Sequence, residues 1–117
     1  MLDRIFVYGT LLSTSTKPMA REFAQNASLI GPARTPGRLI DLGNYPGLLE
    51  PNTPDDWVAG ELWRLHAPVS YLPVLDAYEG CAPNDPEPRE YTRVVRAVTL
   101  DTGEVADAWV YLYMWRD

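Results

Sequence analysis

The fold this sequence predicts is a small α+β domain: two short helices on a curled, β-barrel-like sheet that is mixed but mostly antiparallel. Three observations carry the prediction. Strand-like runs with a two-residue alternation recur along the 117 residues. Two segments with apolar residues at helical spacing interrupt them. No strand–helix–strand alternation and no internal repeat is present, so neighbouring strands are expected to pair through turns. The length suits one domain over residues 1–117, built around one core.

Asp3–Tyr8 is a β-branched and aromatic run ended by Gly9, and it reads as a buried first strand. Lys17–Ala27 reads as a short helix, with Pro18 near its first turn and Met19, Phe23 and Ala27 at helical spacing. Pro36–Leu42 alternates and reads as a strand, and Asn44-Tyr45-Pro46-Gly47 signals a turn. Trp57–Leu65 alternates again, with Val58, Gly60, Leu62 and Arg64 on one face. Pro68–Tyr78 is the stronger helix: Val69, Leu72, Leu75 and Tyr78 form its stripe, and Gly80 stops it. Pro73 leaves two starts open. With Ser70 as N-cap, Pro73 falls in the first turn and loses no needed hydrogen bond; from Pro68, the helix must kink. Beyond a proline-rich loop, Cys81–Pro88, the segments Tyr91–Leu100 and Glu104–Met114 are two long strands joined by an Asp101-Thr102-Gly103 hairpin turn. The reading comes to about six strands and two helices.

Composition narrows the function classes. Sixteen acidic residues stand against ten Lys and Arg, for a formal charge of −6. The nearest approach to a basic cluster, Arg89 to Arg96, is interrupted by Glu90, so no footprint for nucleic-acid phosphates exists. No apolar run approaches the ~20 residues of a helical membrane span. Met1-Leu2-Asp3-Arg4 leads straight into a strand pattern without a signal-peptide layout, so a cytoplasmic protein is expected. Eleven prolines and eight glycines are spread along the chain, which favours short elements joined by defined turns over disorder. Cys81 and His66 are each the only residue of their type, so neither an internal disulfide nor a closed zinc site can form. A Cys–His nucleophilic pair is formally open, but a partly buried thiol and a strand-end imidazole are the simpler readings.

Three features could carry chemistry. Across Tyr8-Gly9-Thr10-Leu11 a strand breaks at glycine, and such a break can leave backbone N–H groups aimed one way, an acceptor site for a carboxylate or oxyanion. Gly9 would permit the turn and let a ligand approach the backbone. From these residues alone, a plain strand end with Thr10 capping a turn is simpler. Glu79, in the last turn of the second helix, faces the negative end of the helix dipole. With partial burial beside Tyr78 its pKa rises, which makes a better base near neutral pH. Asp76 sits three residues before it, so a carboxylate pair is conceivable, although both groups come from one helix end rather than from opposite sides of a cleft. Tyr45, Tyr91, Tyr111 and Tyr113 fall on strands or turns where a hydroxyl can line a pocket, and Tyr111 and Tyr113 share a face.

Taken in order, several segments resemble the gamma-glutamylcyclotransferase-like, or AIG2-like, family. They are Phe6-Val7-Tyr8-Gly9-Thr10-Leu11, Gly31-Pro32-Ala33-Arg34, Pro36-Gly37-Arg38-Leu39, Tyr45-Pro46-Gly47-Leu48, Val58-Ala59-Gly60-Glu61-Leu62-Trp63, Leu75-Asp76-Ala77-Tyr78-Glu79-Gly80, Tyr91-Thr92-Arg93 and Ala108-Trp109-Val110-Tyr111. The resemblance implies a small barrel-like α+β fold and cyclisation of a gamma-glutamyl group to 5-oxoproline with release of an amine. It implies that Glu79 is the catalytic carboxylate. Tyr8, Gly9, Thr10 and Leu11 would hold the glutamyl part, and Tyr45, Tyr91 and Tyr111 would border the pocket. The nucleophile would be the substrate's own amine, so no metal or organic cofactor is expected. The partner is a small gamma-glutamyl molecule, and oligomeric state is left open. Ser13–Asn26 and Ala82–Pro88 match nothing specific, so the leaving amine is unassigned. Two further readings are a non-catalytic binding module on the same fold and an interaction protein using an exposed hairpin edge.

Overall fold

The computed structural model describes residues 1–114. In chain order the elements are β1 (Arg4–Val7), α1 (Pro18–Asn26), β2 (Ala27–Pro36), β3 (Arg38–Asp41), β4 (Pro46–Leu49), β5 (Trp57–Leu65), α2 (Pro68–Tyr78), β6 (Tyr91–Leu100) and β7 (Val105–Tyr113). Five strands close a barrel in the order β1-β5-β2-β6-β7. All its pairings are antiparallel except β1 with β7, which closes it in parallel through Ile5 opposite Trp109. The β3–β4 hairpin forms a separate two-stranded sheet. The expected α+β class, the two helices and the mixed, mostly antiparallel barrel are all present.

The alternation of the strands explains where the core sits. Phe6, Ala33, Leu48, Val58, Leu62, Val98, Leu100, Ala108 and Val110 come from strands alone and form one buried cluster. The residues that alternate with them, Ile5 and Val7 on β1, Trp63 and Leu65 on β5 and Tyr111 on β7, form a second cluster with Phe23 of α1 and Leu72 and Leu75 of α2. β1 is therefore covered on both faces, which is why Ile5, Phe6 and Val7 are all buried.

Two strands went unrecognised in the sequence. β2 carries Gly31, Pro32 and Pro36 and exposes most of its residues, so its composition does not alternate, and its burial does so only from Gly31 onward. The turn expected at Asn44–Gly47 lies earlier: Leu42 N–H bonds to the Tyr45 carbonyl (3.0 Å) around Gly43, whose φ is +105°. Pro46 and Gly47 instead pair with Asp41 and Ile40 as the start of β4, where proline is tolerated. Helix α2 begins at Pro68, with Ala67 rather than Ser70 at its N-cap, so Pro73 is inside it. Pro73 denies the Val69 carbonyl an intrahelical partner on a solvent-facing stretch of the helix, where water can serve it.

β1 and β5 approach so closely at Gly60 that a Cβ there would lie 2.2 Å from the Val7 carbonyl oxygen and 2.7 Å from the Phe6 ring. Gly60→Ala is expected to destabilise the fold by roughly 1–3 kcal/mol, the usual cost of overpacking. Gly31→Ala, whose Cβ would meet nothing nearer than 4.0 Å, is expected to change stability by less than ~0.5 kcal/mol. Urea midpoints of the two variants check this, and equal shifts would refute the close-approach argument.

Candidate active site

The C-terminus of α2 is fixed by backbone geometry. Gly80 N–H bonds to the Ala77 carbonyl (3.2 Å) and Cys81 N–H to the Asp76 carbonyl (2.9 Å), while Gly80 sits at φ +73°. This is a Schellman stop with glycine in the left-handed position. Glu79 is the residue on which the helix ends. Three residues earlier, the Asp76 carboxylate accepts a bidentate pair from Arg93 of β6 (2.8 and 3.1 Å) and the Tyr111 hydroxyl of β7 (2.6 Å). Asp76 is thus an anchor between helix and barrel, and the conceivable Asp76–Glu79 acid–base pair gives way to two separate tasks.

A cavity of about 300 Å³ opens between the end of β1, the start of β4, the end of α2 and the start of β6. Tyr8, Gly9, Thr10, Leu11, Tyr45, Glu79, Tyr91 and Tyr111 all line it, so every site residue named from the sequence borders one space. Pro46, Tyr78 and Glu90 also line it and were missed. Glu90 stood out only as an interruption in a run of arginines. Its one positional signal was that it precedes Tyr91.

The tyrosines are tied to the fold through their hydroxyls. Tyr8 donates to the Tyr111 carbonyl (2.6 Å) and accepts from Leu48 N–H (3.2 Å), and Tyr91 donates to the Pro46 carbonyl (2.8 Å). Two of these bonds hold the β3–β4 hairpin against the barrel mouth. Burial is the first cause that pushes the Tyr8, Tyr91 and Tyr111 hydroxyls well above their ordinary range. These rings form neutral walls. Tyr45 donates to Glu90 at the rim. Gly9 differs from expectation: it does not use left-handed backbone. A Cβ there would meet the Pro46 ring at 2.9 Å, so glycine serves hairpin packing.

Two kinds of polar residue border this space. Among the described residues no acceptor pairs with the N–H groups of Gly9, Thr10 or Leu11, while Leu12 N–H turns back to the Gly9 carbonyl (3.1 Å). Glu79, in the same lining, is pushed up from its ordinary 4.5 to about 7, first by burial and then by the nearby charge of Glu90. A group half ionised near neutrality can both take and return a proton. Cys81 and His66 make no such pair: His66 bonds Ser28 (2.7 Å), and burial raises the Cys81 thiol to about 11. Among the described residues no group of three or more His, Cys, Asp or Glu could hold a metal ion, and no helix is long and apolar enough to cross a membrane.

Residues 5–117 match the family described as gamma-glutamyl cyclotransferase, AIG2-like. Among solved structures, an AIG2-like protein from Mus musculus aligns with a TM-score of 0.75 and 25% identity over 99% of this chain and 80% of its own. YkqA from Bacillus subtilis gives 0.71 at 22% identity over 98% of this chain, which spans 37% of that protein. A protein described as a gamma-glutamyl cyclotransferase gives 0.68 at 20% identity, over 97% of this chain and 68% of its own. No curated protein matches significantly.

The raised Glu79 carboxyl has a measurable consequence for stability. Between pH 4.5 and about 7 the folded protein keeps a proton that the unfolded chain has released. Stability therefore falls as pH rises through that window, by roughly 3 kcal/mol at about 1.36 kcal/mol per unit. Glu79→Gln is expected to stabilise the protein by about 2–3 kcal/mol at pH 8 and by almost nothing at pH 4.5. Denaturant titrations at the two pH values check the sign. An effect independent of pH would show that the Glu79 carboxyl is not desolvated.

Proposed function

This chain belongs to the gamma-glutamyl cyclotransferase, AIG2-like family, and from that premise we propose that it converts a gamma-glutamyl amine or peptide to 5-oxoproline and a free amine. The observation that carries this reading is one small cavity lined both by a half-buried carboxylate near neutral pKa and by residues whose backbone amides have no acceptor among the described residues. Its volume, about 300 Å³, is at the small end for ligand sites and suits a single amino-acid unit.

In the proposed reaction the glutamyl group folds so that its α-nitrogen meets its own γ-carbonyl carbon. That contact supplies a proximity gain no external nucleophile would have. The Glu79 carboxylate takes a proton from the α-ammonium, and the freed amine attacks to form the new C–N bond. Charge gathers on the carbonyl oxygen. Glu79 then returns the proton to the departing nitrogen as the old C–N bond breaks. The second proton, which the new ring nitrogen sheds in becoming an amide N–H, leaves on the freed amine as its ammonium, so the enzyme ends as it began. The N–H groups of Gly9, Thr10 and Leu11 would hold the substrate α-carboxylate or the developing oxyanion. Neutral donors suit that task here, because Glu79 and Glu90 already bring negative charge to the cavity and the tyrosine walls add none. The Glu79 value of about 7 leaves base and acid forms both populated at neutral pH.

The test is 5-oxoproline release from a panel of gamma-glutamyl amines, gamma-glutamyl dipeptides and glutathione. Wild type is expected to turn over at least one member, with kcat/KM rising through about pH 7 as Glu79 ionises. Glu79→Gln is expected to lose ~10²–10⁴-fold. Ligand binding without turnover of any member would overturn the cyclotransferase reading in favour of a binding module. Equal rates for wild type and variant would remove Glu79 from the chemistry.

A further inference from the structure

Glu61 is a carboxylate that the cyclisation chemistry does not use and that does not line the cavity. It lies on β5 opposite Val7, the last residue of β1, and shares a strand face with Trp63 and Leu65. That face is the one covered by the helices and by the segment after β1. Three donors converge on its carboxylate. Oε1 accepts the Ser13 backbone N–H (2.8 Å) and the Trp63 indole N–H (3.1 Å), and Oε2 accepts the Ser13 hydroxyl.

Ser13 closes the loop whose residues Gly9, Thr10 and Leu11 line the cavity. At its other end this loop is continuous with β1. Between the two, Thr10 Oγ1 and the Tyr78 hydroxyl share a hydrogen bond (2.9 Å), and the Leu11 side chain is buried in the core. No strand pairing holds residues 9–13, because the β1–β5 ladder ends at Val7 opposite Glu61. The Glu61 side chain therefore continues where the ladder stops, replacing backbone pairing with a charged clamp. Hydrogen bonds to a charged acceptor are worth more than neutral ones.

We propose that Glu61 is a positioning residue: by clamping Ser13 it sets the curvature of the Gly9–Ser13 loop, and thereby the substrate affinity of the loop's free amides, without touching substrate. The affinity part of this proposal rests on the cyclotransferase reading; the clamp itself does not. Glutamate suits the position because its two oxygens take an N–H and an O–H from one residue while also satisfying an indole. Glutamine retains most of this, since its carbonyl oxygen can accept both N–H groups and its amide can donate to the Ser13 hydroxyl. Alanine retains none.

The experiment compares wild type with Glu61→Ala, Glu61→Gln and Ser13→Ala in two readouts. The first is amide hydrogen exchange at Leu12 and Ser13, the loop residues whose N–H groups are hydrogen-bonded. Glu61→Ala is expected to speed exchange there at least ~10-fold, the equivalent of about 1.4 kcal/mol, while β6 and β7 keep their protection. Glu61→Gln is expected to recover most of that protection. The second is steady-state kinetics on the best panel substrate: Glu61→Ala is expected to raise KM about tenfold or more with kcat reduced much less. Ser13→Ala, which removes only the hydroxyl bond, is expected to move both readouts less and in the same direction, and it serves if Glu61→Ala does not fold. Unchanged exchange and KM in these variants would overturn the proposal. Loss of protection across the whole barrel would also overturn it, since Glu61 would then be merely structural. If wild type turns over no substrate, the cyclotransferase reading fails, and exchange still decides whether Glu61 holds the loop.

Discussion

The arrangement at the barrel mouth depends on the Asp76 carboxylate. Its side chain ties α2 to both strands of the β6–β7 hairpin, through Arg93 and Tyr111, while its backbone carbonyl takes the Cys81 N–H that ends the helix. One residue therefore fixes where the helix lies and where it stops. Glu79 follows three residues later with almost no positional freedom of its own. Because Asp76 takes the Arg93 guanidinium, Glu79 has no cation partner among the described residues, and it is desolvated. Two carboxylates on one helix end acquire opposite environments, one paired and one bare, and the difference is set entirely by their partners.

The opposite wall obeys a similar economy. Tyr8, Tyr91 and Tyr111 present aromatic faces to the cavity, yet each hydroxyl donates to the protein: Tyr8 and Tyr91 to main-chain carbonyls, Tyr111 to Asp76. The β3–β4 hairpin is held over the barrel by the Tyr91 bond to Pro46, by the Leu48 N–H donated to the Tyr8 hydroxyl and by the Pro46 ring filling the space left at Gly9. Among the described residues, the amides of Gly9, Thr10 and Leu11 after the end of β1 have no protein acceptor. A site built this way is shaped by buried neutral walls and given its polarity by backbone, which cannot titrate or reorient.

Local pattern made much of the fold legible. The bounds of β5 and β6 and the end of α2 follow from strand pattern, helical spacing and the glycine stop, while Pro73 left the start of α2 open. β2 was hidden because its prolines and exposed residues erase any period, and it is a strand chiefly because β5 runs beside it for nearly its whole length. Pro46-Gly47 carries turn chemistry but is used as strand, since its partners Ile40 and Asp41 lie across a turn centred on Gly43. The residues that line the cavity were legible through order and spacing, but their reasons were not. Gly9 looked like a ligand approach and is a packing vacancy for a proline. Asp76 looked like half of a carboxylate pair and is an anchor. Its partners lie 17 and 35 residues away, a distance over which no periodicity speaks. Glu90 directly before β6 and Glu61 within β5 carry no local signal that sets them apart from acidic residues facing solvent, so only the tertiary fold distinguishes them.

A bare carboxylate at the end of α2 makes stability and base strength vary in opposite directions. Below about pH 7 the Glu79 carboxyl is mostly protonated, the cavity carries less charge, and the folded state is at its most favourable. Above that value the group becomes a competent base, and the protein bears the cost of an unpaired buried charge beside Glu90. The cost is tolerable because the supports around Glu79 do not titrate with it: the Schellman stop is backbone, and Arg93 keeps its charge across the whole range. Replacing Glu90 by a neutral residue would relieve part of the repulsion and lower the Glu79 value, gaining stability at pH 8 while weakening the base. A site near neutrality is thus a compromise between two carboxylates, with the rigid end of one helix holding the distance between them.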